Sequence, residues 1–366
     1  MADPAAATAA AATRLAEHRH GPASPQTRAL ERTLRRTWMP VARGWRMTPR
    51  GIRMLQRVTD PTGRVPVLRG TRVEPTRVGG VGAEWVRAPR ATAQTPTGET
   101  AAGMPSPEQP LLLYLHGGGY VFGSPRTHRN LVSRISHVTG LPALSVDYRL
   151  PPAAVLPAPV DDALAVYRHL LDAGHPAERI VVAGDSAGGN LTLALALHAA
   201  EAGLPLPAAL VLLSPWADLT MSLPSHVSNA ALDPFIPEPA LRRCARVAAG
   251  GADPASWRVS PLLAPDELFE RLPPTLVQAG STEVLLDDGI AVARRVAEAG
   301  TRAELHLFDR QPHVAPLWAG TPEARVALRA IGRFTTAVLA PESAPPAPTG
   351  ADATEAAAGP AATDPA

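Results

Sequence analysis

The stretch Ile180-Val-Val-Ala-Gly-Asp-Ser-Ala-Gly188, continued by the Ala/Leu-rich segment 189–202, decides the reading of this chain. A short apolar run ends in Gly184-Asp185-Ser186-Ala187-Gly188, and a helical composition begins at once behind it. Strand, tight turn and helix in that order make the context of a nucleophile elbow. The turn strains the serine backbone and leaves room only for small residues two positions before and after it, which Gly184 and Gly188 supply. It lifts the Ser186 hydroxyl out at the carboxyl end of a sheet. It also sets the following N–H groups, Ala187 first, at a helix N-terminus, where negative charge is favoured.

Working outward, apolar runs alternate with helical stretches. The runs are Leu111–Leu115, Ala143–Val146, Leu210–Leu213, Leu276–Ala279 and Ala303–Phe308; the helical stretches are Val160–Ala173, Ala187–Ala202 and Asp288–Ala299. This alternation predicts an α/β fold, a mostly parallel sheet covered by helices on both faces. Arg72–Val78 and Ala83–Val86 read as an antiparallel pair leading into it. Two segments break the pattern, about 26–60 and part of 217–272, and are expected to form a helical cap. Residues 1–25 and 341–366 are Ala/Pro/Thr-rich and are expected to be disordered tails, with one α/β domain between them at 26–340. The stretch from about 90 to 110 reads as a surface loop.

Composition narrows the chemistry. The chain has 366 residues and a net charge of +2, with 35 basic side chains, all of them arginine. The absence of lysine excludes a Schiff-base lysine, a P-loop lysine and a Ser-x-x-Lys site. Cys244 is the one cysteine, so no internal disulfide or cysteine zinc site can form; its Ala/Arg surroundings read as a helix and its thiol as structural. The 11 histidines are scattered and no His-Glu-x-x-His helix occurs, so no metal is expected. No G-x-G-x-x-G follows a strand, so no dinucleotide cofactor is expected either. The basic run Arg28 to Arg57 reads as a solvated helix face rather than a nucleic-acid or membrane patch. No apolar run approaches a membrane span, and a cytoplasmic location is expected. No nucleic-acid partner and no stable membrane insertion are expected; self-association as a homodimer stays open.

Two further segments complete a candidate site. His116-Gly-Gly-Gly119 ends the run Leu111–Leu115, and three consecutive glycines make sense if bare N–H groups must turn toward an anion. Gly118, Gly119 and Ala187 are the expected oxyanion donors. His313 follows the run Ala303–Phe308 and is the expected base; His116 is a rival, but it precedes the serine in the chain. The acid should follow Leu276–Ala279, where Glu283, Asp287 and Asp288 are available. Glu283 stands soonest after the strand, whereas Asp287 and Asp288 are better placed to cap the next helix.

With these motifs in place, the chain resembles the bacterial hormone-sensitive-lipase-like group of α/β-hydrolases over roughly residues 72–335. The resemblance rests on His116-Gly-Gly-Gly, Asp147-Tyr-Arg-Leu, Gly184-Asp-Ser-Ala-Gly-Gly-Asn, Leu213-Ser-Pro-Trp with Asp218, Glu283-Val-Leu-Leu-Asp-Asp-Gly and His313. It implies a core of about eight strands, a helical cap and esterase activity on short to medium acyl esters through Ser186, His313 and Glu283. Amide or lactone hydrolysis on the same residues, and a silent ligand-binding scaffold, are the alternatives. The chain departs from the family pattern at Glu283, where Asp is usual, and after Asp147-Tyr-Arg-Leu, where Pro151-Pro152-Ala153 replaces Ala-Pro-Glu.

Overall fold

The computed structural model describes residues 14–93 and 104–340. Its centre is a nine-stranded sheet in the order β1-β9-β8-β7-β6-β4-β5-β3-β2. The strands are β1 (Leu15–His20), β2 (Arg72–Val78), β3 (Val81–Arg87), β4 (Leu111–Leu115), β5 (Ala143–Asp147), β6 (Ile180–Asp185), β7 (Ala209–Leu213), β8 (Thr275–Gly280) and β9 (Ala303–Phe308). All neighbours run parallel except β2 with β3 and β3 with β5. The central strands are apolar on both faces because both faces are covered. In β4, Leu111, Leu113 and Leu115 enter one core cluster and Leu112 and Tyr114 the other. Helices 158–172, 187–201 and 286–298 cover the first face; helices 125–139 and 322–339 cover the second. The helix Ala187–Glu201 is buried along almost its whole length, which its unbroken apolar composition requires.

The sheet is mostly parallel with helices on both faces, as expected; one expectation needs correction. Residues 15–20 are not part of a disordered tail: they form β1, which adds to β9 in parallel as a ninth strand among the described residues. Leu-Ala-Glu-His-Arg-His carries no apolar run because it is an edge strand with four of its six residues exposed, so only the tertiary partner reveals it. Helix Pro25–Gly44 then begins inside the expected tail, capped by the Ser24 hydroxyl. Residues 1–13 and 341–366, and residues 94–103 of the expected loop at 90–110, lie outside the described residues. Among the described residues no helix is long and apolar enough to cross a membrane.

The segments that broke the alternation fold as helices Pro25–Gly44, Pro49–Thr59 and Glu238–Ala249 with short turns around them. They lie beyond the carboxyl ends of the strands, where their side chains wall a cavity. Arg35 reaches from the first of these helices to the carbonyls of Ala231 and Leu232, and the Trp38 indole N–H donates to the Phe235 carbonyl at 2.7 Å.

Helix 322–339 approaches helix 125–139 closely at Gly332, where a Cβ would stand 2.6 Å from the Val138 carbonyl oxygen. Helix propensity alone favours alanine over glycine by about 1 kcal/mol, but this contact reverses the sign. Gly332→Ala should destabilise the fold by about 1–3 kcal/mol through overpacking, read as a lower urea midpoint with an unchanged slope; a raised midpoint would disprove the close approach.

Candidate active site

β6 ends in the elbow. Ser186 stands at φ 56°, ψ −120°, a conformation that L-residues rarely adopt. Three backbone hydrogen bonds hold it there. Its N–H donates to the Leu213 carbonyl at 2.8 Å, and its own carbonyl accepts from Trp216 at 3.0 Å and Asn190 at 3.2 Å. The flanking glycines are dictated by contact: a Cβ on Gly188 would lie 2.0 Å from the Leu115 carbonyl oxygen, and one on Gly184 would lie 2.2 Å from that of Gly188. Elbow and β4 are therefore pressed together, which brings the glycine turn after β4 beside Ser186.

That turn needs glycine for the same reason. Gly118 and Gly119 have φ of 117° and 60°. A Cβ on Gly117 would meet Asp185 Oδ2 at 2.2 Å. Asp185 ties turn to elbow: it accepts from the Tyr114 hydroxyl at 2.6 Å and the Gly117 N–H at 3.0 Å, with His128 Nε2 3.4 Å away. Burial alone would raise its carboxyl, but the His128 charge and these donors hold it below the usual range. A second tie joins Tyr120 to Asn190, hydroxyl to side-chain carbonyl, at 2.7 Å. His116, the rival base, is buried and stacked on Tyr148 at 4.2 Å, and burial pushes it down to about 3. It does not line the cavity that Ser186 lines.

Glu283 and His313 meet beyond β8 and β9. His313 Nδ1–H donates to Glu283 Oε2 at 2.6 Å. The other carboxylate oxygen accepts from the Ser214 hydroxyl at 2.8 Å and from the Gly280 N–H. Ser214 in turn accepts from the Val314 N–H at 3.0 Å, so one hydroxyl anchors both sides of the pair. The extra methylene of glutamate is absorbed by folding back on Gly280, where a Cβ would lie 2.9 Å from Glu283 Oε1 and 2.0 Å from the Gln311 carbonyl. Burial pushes the His313 imidazole toward neutrality, but the Glu283 charge and hydrogen bond outweigh it and raise its pKa above the ordinary value. His313 Nε2 has no hydrogen-bond partner among the described residues, and His313 lines the same cavity as Ser186.

Asp287 and Asp288 lie in the first turn of helix Leu286–Glu298, but neither caps it. Their carboxylates reach outward to the 217–228 segment. Asp288 is wholly buried; it accepts from the Ala217 and Asp218 N–H groups at 2.8 Å each and from His226 Nε2 at 2.7 Å. Asp287 accepts from the Ser225 N–H at 2.8 Å. Sequence reasoning missed four residues that build the site: Asp185, Asn190, Ser214 and Asp233. Three of them stand inside quoted motifs, which was a usable signal. Asp233 stands alone. It accepts from the N–H groups of Phe235, Ile236 and Val284. Burial, with the Glu283 charge close by, still pushes it up to about 6.

The cavity measures about 150 Å³ and its floor holds Gly118, Gly119, Ser186 and His313. Its walls are apolar and come from the cap, including Trp38, Trp45, Phe235 and Leu241. Cys244 also lines it, buried and with its thiol pushed up to about 12 by burial, so it is a wall and not a nucleophile.

A family model described as the alpha/beta hydrolase fold matches residues 112–317. The chain belongs to this family. Within it, the likeness is to the hormone-sensitive-lipase type. A solved esterase of the bacterial hormone-sensitive lipase family is 36% identical, with a TM-score of 0.75, over 87% of this hydrolase and 100% of that chain. A solved esterase/lipase from an uncultured bacterium is 34% identical, with a TM-score of 0.76, over 87% and 99%. Among curated relatives, an acetyl-hydrolase of Streptomyces hygroscopicus is 37% identical over 85% of this hydrolase and 96% of its own length. An esterase of Acinetobacter venetianus is 32% identical over 73% and 82%.

Asp288→Asn keeps the size of the side chain but sets an amide N–H₂ against His226 Nε2–H, because His226 Nδ1 is occupied as acceptor of the Leu223 N–H. Breaking a buried pair of this kind costs about 3–5 kcal/mol. The thermal midpoint of the hydrolase should fall by several degrees in Asp288→Asn and much less in Asp287→Asn. Equal midpoints for the two variants would refute the structural assignment of Asp288.

Proposed function

We propose that Ser186, His313 and Glu283 act as nucleophile, base and orienting acid, with the N–H groups of Gly118, Gly119 and Ala187 as the oxyanion hole. The chain is a carboxylic-ester hydrolase, and the observation that carries this assignment is the 2.6 Å bond from His313 Nδ1–H to Glu283. A carboxylate can only accept, so the neutral imidazole keeps its hydrogen on Nδ1 and leaves Nε2 as a bare acceptor. Among the described residues that nitrogen has no hydrogen-bond partner, in a cavity that Ser186 also lines.

The steps follow. Ser186 Oγ attacks the ester carbonyl carbon while its proton passes to His313 Nε2. The imidazolium is stabilised by Glu283, and the carbonyl oxygen gains charge at the helix N-terminus and the glycine turn. Collapse breaks the bond to the alcohol, which leaves with the proton from Nε2. Water, activated by the same nitrogen, then attacks the acyl-enzyme; the acid departs and Ser186 regains its proton.

Short to medium acyl groups suit the cavity, whose Trp38, Trp45 and Phe235 walls bound it on the cap side. The relative named acetyl-hydrolase is consistent with that reading. Each methylene buried should add about 0.8 kcal/mol to transition-state binding until the wall is met, giving an optimum at about C2 to C8. Measured kcat/KM from acetate to palmitate esters checks this; a steady rise to the longest chain would sink it.

Ser186→Ala should abolish turnover, to below about a thousandth of wild type, while the fold keeps its stability, because alanine fits the same space and holds the same φ of 56°. Glu283→Gln should lower kcat by about 10³- to 10⁴-fold and also move the pH profile. In the wild type the acid limb of kcat/KM, which reports deprotonation of His313, should lie above 6.5 because Glu283 outweighs burial. Without the carboxylate, burial prevails and the midpoint should fall. An acid limb that stays in place in Glu283→Gln would mean that another group sets it.

A further inference from the structure

Away from the cavity, at the β1 edge of the sheet, the fold gathers side chains that look unrelated along the chain. β1 and β9 pair in parallel with His18 opposite His306 and Ala16 opposite Glu304. Side chains two apart on a strand share a face, so His18 and His20 on β1 stand beside Glu304 and His306 on β9. One ligand atom each from His18, Glu304 and His306 lies within 4.8 Å of the other two. The His18 and His306 rings stack at 4.4 Å, and His306 Nε2 lies 3.6 Å from Glu304 Oε2.

The histidine at the centre of this cluster is the informative one. His306 is 2% exposed, and its Nε2 has no hydrogen-bond partner among the described residues. Its other nitrogen, Nδ1, is already engaged, 2.9 Å from His20 Nε2. A metal-ligating imidazole ordinarily has this arrangement: one nitrogen free for the ion and the other held by an outer partner that fixes the ring. The Glu304 carboxylate is divided in the same way. Oε1 is taken by the Arg302 guanidinium, while Oε2 faces His306.

We propose that His18, Glu304 and His306 form a binding site for a divalent transition metal ion, Zn²⁺ first, with His20 orienting His306 from outside. Metal–ligand distances of about 2.0–2.2 Å put the ligand atoms of a tetrahedral site about 3.4 Å apart, close to the 3.6 Å already present for one pair. Two imidazoles and a carboxylate suit Zn²⁺, Co²⁺ or Ni²⁺ and are poor for Mg²⁺ and Ca²⁺, which prefer all-oxygen sets. His18 is exposed, so the ion can enter from solvent and water completes its coordination. The ion would clamp the edge strand β1 to β9. The clamp sits next to the loop that carries His313, because the Asp309 N–H donates to the His20 carbonyl at 2.7 Å and the Ala23 N–H to Asp309 Oδ2 at 3.0 Å.

The test uses the tag-free full chain, stripped with chelator and titrated with Zn²⁺ and, separately, Mg²⁺. One Zn²⁺ should bind per chain and raise the thermal midpoint, whereas Mg²⁺ should do neither. Co²⁺ should give visible bands of an ordered site. In His18→Ala and in Glu304→Gln, Zn²⁺ should bind at least tenfold more weakly and lose its effect on the midpoint; in His20→Ala binding should weaken about tenfold or more. His137→Ala, on an exposed helix position, should bind like wild type. Retained ester hydrolysis by metal-free His18→Ala shows that this variant is folded. Wild-type Zn²⁺ binding in His18→Ala and Glu304→Gln, or no stoichiometric binding to the native chain, overturns the proposal.

Discussion

The close approach of the elbow to β4 is the constraint from which the rest of the site is built. Ser186 can hold φ 56° only because three backbone hydrogen bonds, to the 213–216 segment and to its own helix, over-determine it. Those bonds need Gly184 and Gly188 to let the carbonyls of Leu115 and Gly188 come within what a Cβ would occupy. Once β4 and β6 are held that tightly, the turn after β4 has one place to go, beside the serine. Replace either glycine by any larger residue and the turn, the helix N-terminus and the hydroxyl lose their common geometry together.

Buried carboxylates supply the second layer of order. Glu283, Asp185, Asp233 and Asp288 are all buried, and each is met by several donors. A buried carboxylate without partners would be prohibitively costly, so each one dictates the position of the segments that satisfy it. Asp185 fixes the glycine turn, Asp288 fixes the 217–226 segment, and Asp233 fixes the chain where the cap returns to the sheet. Glu283 differs from the others in having as partner an imidazole with a free second nitrogen. The same physics that makes three of them structural therefore makes the fourth suited to chemistry.

The site was legible to the extent that it is local. The elbow and the glycine turn each lie within a few residues, and their residue types follow from sterics that operate along the chain. His313 and Glu283 could be placed because each follows an apolar run that must be a strand. Distance from the strand end favours Glu283 over Asp287 and Asp288, and Glu283 is the carboxylate that His313 meets in the structure. The roles of Asp287 and Asp288 were read less well: they bind a segment about seventy residues away instead of their own helix end. β1 was missed because a polar edge strand has no periodicity of its own; it exists by pairing with β9, nearly three hundred residues on.

By itself, then, the order of residues determined the alternation of buried strands and helices, since a strand covered on both faces must be apolar throughout, as Leu111–Leu115 is. It also determined the glycines of the elbow and the turn, since no other residue tolerates those contacts and torsions. Only the tertiary structure decided which polar groups are brought together: Asp185 with His128, Asp288 with His226, Asp233 beside Glu283, and the histidines of β1 with His306 of β9. The reason is physical. Packing of apolar residues is a short-range, degenerate demand that leaves a periodic trace in the chain. The pairing of buried charges is specific, acts across sheet order and loop closure, and leaves no trace until the strands have taken their places.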